Sequence, residues 1–155
     1  MVKVDSLLSR KGHVLHSIAP DEPVLEAIRM MADHGIGAVL VLKDNELVGI
    51  VSERDYARKI VLMGRSSDET PVWQIMSSPV VTVSRSDTLD TCMRVMTDRR
   101  IRHLPVTDGG QVIGMLSIGD LVLLFGIVGC MLYLDVQLGL LTLSILPILF
   151  IVRLI

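Results

Sequence analysis

Along residues 22 to 34 apolar side chains recur at helical spacing, with Val24, Leu25, Ile28, Met31 and Ala32 on one face and polar residues between them. The pattern predicts an amphipathic helix with Asp21 as its N-cap and Gly35 just past its end. The period then changes. Ala38 to Leu42 is an unbroken apolar run, Lys43-Asp44-Asn45-Glu46 a turn, and Leu47 to Val51 a second run, which together predict adjacent buried strands. Glu53 to Met63 returns to helical spacing and is closed by Gly64. The same series follows once more: helix from Thr88 to about Arg99, strand His103 to Val106, turn Thr107 to Gly110, strand Gln111 to Leu116, and helix from Ser117. Strand-like lead-ins, His13 to Ile18 and Val80 to Val83, precede the two series, so the unit is β-α-β-β-α read twice.

Aligned without a gap at a spacing of 65 residues, Ile18 matches Val83, Arg29 matches Arg94, Met31 matches Met96, Gly49 matches Gly114, Ser52 matches Ser117 and Asp55 matches Asp120. Such self-similarity means one supersecondary unit used twice, each copy burying an apolar face that it cannot bury alone. The expected fold class is α+β, two small sheets covered by helices and related by a pseudo-twofold axis, with two clefts between the copies. Residues 1–64 form the first repeat, 65–78 a polar linker with a short Pro-started helix, 79–122 the second repeat, and 121–155 an apolar helical tail.

Both copies keep Gly-x-x-Ser-x-x-Asp where a strand hands over to a helix. Read structurally, Ser and Asp three residues apart form a capping box. Read functionally, amides at the helix start attract phosphate, the serine hydroxyl donates to a phosphate oxygen, and the carboxylate accepts from ribose hydroxyls. Gly49 and Gly114 would let a ligand or a neighbouring strand approach the backbone. A ribose phosphate meets all of these requirements.

With Ile101-Arg102-His103-Leu104-Pro105-Val106, Ile75-Met76 leading into Val80-Val81-Thr82-Val83, and Ser52-Glu53-Arg54-Asp55-Tyr56-Ala57-Arg58-Lys59, the stretch from about Met1 to Val122 resembles a tandem pair of CBS domains, the Bateman module, of the bacterial stand-alone type. The resemblance implies a non-enzymatic regulatory module that senses AMP, ADP, ATP or a related ligand such as S-adenosylmethionine in the clefts between two CBS repeats. The adenine nucleotide is a regulatory ligand, and no cofactor is obligatory. Carried over by position, Asp55 and Asp120 would hold ribose hydroxyls and Ser52 and Ser117 would contact phosphate. Backbone around Ser17, Ile18, Thr82 and Val83 would read the adenine, and Ile36, Ala38, Arg102, His103 and Leu104 would line the walls. Because Gly37 and Ala38 stand where the second copy has Arg102 and His103, each cleft is expected to own a different cation: Arg54 beside Ser52 and Asp55, Arg102 and His103 beside Ser117 and Asp120. The resemblance also implies a homodimer formed through helices away from the clefts. The alternative is a membrane-tethered interaction scaffold with no bound nucleotide.

Charge removes other classes. Fifteen basic and 17 acidic side chains are well mixed, so no basic field collects nucleic acid, and five aromatics are too few for a stacking platform. The histidines do not fall at metal-ligand spacing, the nine methionines read as core, and no nucleophile with a base appears. Cys92 and Cys130 form no framework, which suits a reducing, cytoplasmic setting. After Asp120 the composition breaks. From Leu121 to Ile155, 26 of 35 residues are apolar and the charges are Asp135 and Arg153. Val136 to Val152 is a candidate membrane segment, and Leu134 to Pro147 resembles a membrane stretch of ATP-binding-cassette exporters. A membrane hairpin holding the module to the inner face of the membrane, a helix buried in an oligomer, and foreign sequence are the readings of this tail.

Overall fold

The computed structural model describes residues 3–11, 15–123, 126, 129, 130 and 133–137. The chain divides into two compact units, residues 1–117 and 118–155.

The first unit holds both copies. In the first, β1 (Ser17–Ile18) lies parallel to β2 (Ala38–Lys43), which pairs antiparallel with β3 (Glu46–Ser52), and α2 (Val24–His34) connects β1 to β2. In the second, β4 (Val83–Ser84), α4 (Leu89–Arg99), β5 (His103–Asp108) and β6 (Gln111–Ser117) repeat the order and the pairing. Even the β-bulge recurs, between Val41 and Leu42 and again between Val106 and Thr107. The hairpin turns reach one geometry by different chemistry. Asp44 and Asn45 take positive φ in the first copy (51° and 68°), where short polar side chains tolerate it, and Gly109 and Gly110 do so in the second.

Each copy builds its core from corresponding positions. Ile18, Val24, Ala27, Met31, Val39, Val41 and Val51 are buried in the first, Val83, Leu89, Cys92, Met96, Leu104, Val106 and Leu116 in the second. Val72 and Ile75 complete the first cluster. They come from the linker, whose short 3-10 helix (Val72–Gln74) is stitched to the start of α2: Val72 N–H donates to Glu22 O (2.9 Å) and Val24 N–H to Thr70 O (2.9 Å).

The second copy receives the equivalent cover from a helix that the periodicity did not reveal, α1 (Val4–Lys11). Val4 N–H donates to Asp87 O (2.9 Å), Lys3 bridges to Thr88, and Val4 and Leu8 are buried. Arg85 joins this helix to β5 through Asp5 (2.6 Å) and Asp108 (3.0 Å), and the hydrogen bond to Asp5, followed by that to Asp108, pushes its guanidinium pKa up.

Several boundaries differ from expectation. Asp21 is not the cap of α2: the helix begins at Val24 with Pro23 in the N-cap position and no side-chain cap bond, while Gly35 ends it in the left-handed conformation. The helix expected from Glu53 to Met63 is a short α3 (Glu53–Tyr56) widened into a π-helical turn (Ala57–Val61). The lead-ins contribute two-residue strands. Gly49 and Gly114 admit no ligand. A Cβ on Gly49 would collide with the Met76 side chain and one on Gly114 with Leu8, so these glycines exist to seat the covering segments.

In the second unit residues 118–123, 126, 129, 130 and 133–137 are helical, with Gln137 Nε2 donating to Tyr133 Oη at 2.8 Å. Among the described residues no helix is long and apolar enough to cross a membrane. Most of the candidate membrane segment from Val136 to Val152 lies outside the described residues.

Candidate functional site

The handover from β3 to α3 is a complete capping box. Ser52 N–H donates to Asp55 Oδ2 (3.1 Å), and Asp55 N–H donates to Ser52 Oγ (3.3 Å). The Ser52 hydroxyl proton goes to the same carboxylate oxygen (2.7 Å). The other oxygen, Oδ1, accepts from Lys59 Nζ (2.8 Å) and from Ser77 Oγ (3.4 Å), while Lys59 also donates to Ile75 O. Glu53 N–H is used as well, by Gly37 O at 3.1 Å. The helix start is therefore not an open cradle of amides, and both the serine and the carboxylate already have protein partners.

Over this turn lies a cavity of about 330 Å³ lined from both copies. The first copy supplies Gly37, Ile50, Ser52 through Asp55 and Arg58, the linker supplies Ser77, and the second copy supplies Arg100 through His103. Gly37 is what lets His103 enter. A Cβ there would stand 3.3 Å from both Cε1 and Nε2 of the ring, tighter than ordinary van der Waals contact. Arg54 Nη1 donates to Arg100 O (3.1 Å), tying the copies together across the cavity. Arg100 has φ 54°, the left-handed conformation that Gly35 takes at the corresponding end of α2.

The residues singled out from sequence separate into groups. Ser52, Arg54, Asp55, Arg102 and His103 converge on this one cavity. Arg102 and His103, expected beside Ser117 and Asp120, line the same cavity as Ser52 and Asp55, and His103 is also paired in the sheet with Ser117. His103, at the start of β5, reaches the cavity through the space that Gly37 leaves. Ile18, Ala38, Val83 and Leu104 are buried core positions, Ile36 packs against the first core, and Ser17 and Thr82 are exposed. Ser117 ends β6, and Asp120 belongs to the helical residues of the second unit. Sequence reasoning did not assign Arg58, Ser77 or Arg100 to a cleft. Arg58 was within reach, since it follows Arg54 by one helical turn.

Other reactive groups stand apart. Cys92 is buried in the second core, and desolvation, then the charge of Asp87, pushes its thiol pKa up to about 11. His16 and His34 stack with ring centroids 3.9 Å apart. Among the described residues no cluster of three or more His, Cys, Asp or Glu side chains is arranged to hold a metal.

A duplicated α+β unit with a cavity at the seam between copies defines the class of paired regulatory modules. The CBS domain model matches residues 11–62 and 72–126, and the chain belongs to the CBS domain family. The CBS domain-containing protein CBSX3, mitochondrial, of Arabidopsis thaliana is 45% identical over 107 residues, which are 66% of this chain and 52% of that protein. The chain thus spans about half the length of that curated relative. A solved CBS-domain protein from Burkholderia ambifaria is 48% identical, with a TM-score of 0.76 over 78% of this chain and 91% of that one. The CBS domain pair of protein MJ0100, solved in complex with 5′-methylthioadenosine and S-adenosyl-L-methionine, shares the fold at 23% identity (TM-score 0.73, covering 81% of this chain and 97% of that one).

Proposed function

We propose that the chain is a non-catalytic sensor of an adenosyl ligand, bound in the cavity between its copies. The observation that carries this reading is the cavity itself: its size suits a nucleotide, and its walls come from both copies, so that occupancy bears on their relative position. A CBS pair of the same fold holds adenosyl compounds, which supports the class of ligand. In this reading Asp55 takes the ribose by exchanging Lys59 or Ser77 for sugar hydroxyls, which fits its side chain being 16% exposed. Ser52 then keeps the turn in place. Self-association into a homodimer belongs to the same reading and is supported by exposed apolar side chains, notably Leu62 and Met63.

Calorimetry with AMP, ADP, ATP and S-adenosylmethionine tests the proposal, with Asp55→Ala as the site variant. Binding by the parent and its loss in the variant are expected. If no adenosyl compound binds, or if Asp55→Ala binds as well as the parent, the assignment fails. The full engagement of Asp55 favours a second reading, in which the capping box is structural and the cavity takes no nucleotide. That reading has Asp55→Ala lowering thermal stability, by about 1 kcal/mol, with no change in any ligand response.

A further inference from the structure

The cavity is a cationic site on an anionic protein. The chain carries a formal charge of −2, yet four arginines (54, 58, 100 and 102) line the cavity against two carboxylates, and one of these, Asp55, is already paired with Lys59 at 2.8 Å. Among the described residues Arg58, Arg100 and Arg102 have no carboxylate within ion-pair distance. Placing like charges together without internal compensation costs free energy that a bound anion recovers. The backbone at the start of α3 has little left to offer that anion, because the amides of Ser52, Glu53 and Asp55 already have acceptors in the fold. Recognition therefore falls to guanidinium groups, whose planar forks match phosphate oxygens two at a time.

Resting on the adenosyl reading above, we infer that this cavity selects the polyphosphate form of its ligand, an adenosine di- or triphosphate, over adenosine, its monophosphate and the positively charged sulfonium of S-adenosylmethionine. The adenosyl end sits toward Asp55 and the phosphate chain runs along the arginines. Each added phosphoryl group finds a further cation, whereas a sulfonium gains nothing from the arginines.

The experiment is calorimetry on the full chain with adenosine, AMP, ADP, ATP, S-adenosylmethionine and inorganic tripolyphosphate, repeated with Arg58→Gln, Arg102→Gln and the exposed Arg94→Gln, which lies outside the cavity. Affinity should rise from adenosine through AMP and ADP to ATP. Arg58→Gln and Arg102→Gln should each weaken ATP about tenfold while leaving adenosine nearly unchanged, and Arg94→Gln should do neither. Adenosine or S-adenosylmethionine binding as tightly as ATP overturns the inference and leaves the adenosyl reading standing. Tripolyphosphate binding that depends on Arg58 and Arg102, with no response to adenosine compounds beyond it, upholds the anion site and overturns the adenosyl reading. An equal loss in all three arginine variants reduces the effect to general charge and overturns the inference.

Discussion

Arg100 and Gly35 occupy the same place after corresponding helices and take the same left-handed backbone, φ 54° and 61°. Glycine reaches that conformation freely, whereas a side chain with a Cβ does so at a cost of roughly 1 kcal/mol. The second copy bears this cost at the residue whose carbonyl receives Arg54 and whose side chain lines the cavity. Strain kept at such a place is a sign of function. Arg100→Gly should therefore move two measurements in opposite directions: thermal stability up by about 1 kcal/mol, and ATP affinity down. A variant that changes neither, measured by denaturant unfolding and calorimetry, removes the argument. Cys92 gives a prediction of a different kind. Burial holds its folded pKa at about 11, above the ordinary thiol value of 9.0, so as pH rises past 9 the unfolded thiol releases its proton before the folded one does. Stability should be unaffected below that range and should fall between pH 9 and 11, by about 2–3 kcal/mol in total. Cys92→Ala should flatten that part of the stability curve. At pH 8 an alkylating agent should label the exposed Cys130 and spare Cys92.

Pattern alone carried most of the elements. The strands were legible because both are apolar runs bounded by turn residues, and the pairing of copies because Gly49, Ser52 and Asp55 recur unchanged 65 residues on. What escaped was α1. Its counterpart is the linker helix, but Val4 corresponds to Val72 and Leu8 to Met76, a spacing of 68, so the gapless repeat passes over it. An eight-residue helix also shows too few turns for its period to stand out. The π-helical turn was illegible for another reason: Tyr56 and Ile60 stand four apart, which an ordinary helix accommodates equally well. In the site, the converging arginines were visible individually, but their meeting depends on Gly37 and on the loop after α4, a tertiary fact. The glycines yield the test at this scale. Gly114→Ala should destabilise the protein by about 1–3 kcal/mol through collision with Leu8, and Leu8→Ala alone by about 2–5 kcal/mol through the cavity it leaves. The double variant should cost well below the sum of the two, since the same side chain carries both effects. Additive costs in chemical denaturation would show that α1 does not seat on Gly114.

At the scale of the molecule, the two copies are joined by the linker stitched to α2, by Arg54 donating to Arg100, and by a cavity whose lining runs from Gly37 to His103. All of these lie in the first unit. The family match ends at residue 126, before most of the apolar tail. Ligand binding and cooperative unfolding should therefore belong to the part of the chain before Gly126. A ligand that binds the folded state alone stabilises it by about 2.7 kcal/mol when present at a hundred times its Kd, or about 10 °C in Tm for a domain of this size. A chain ended at Gly126 should unfold in one transition and show the same ATP-induced rise in Tm as the full chain, within about 1 °C. Full and shortened chains compared side by side by scanning calorimetry decide the matter. If the shortened chain loses the rise but still melts cooperatively, the tail takes part in the ligand response. If it fails to melt cooperatively, the tail is part of the fold, and sensing cannot be assigned to the paired copies alone.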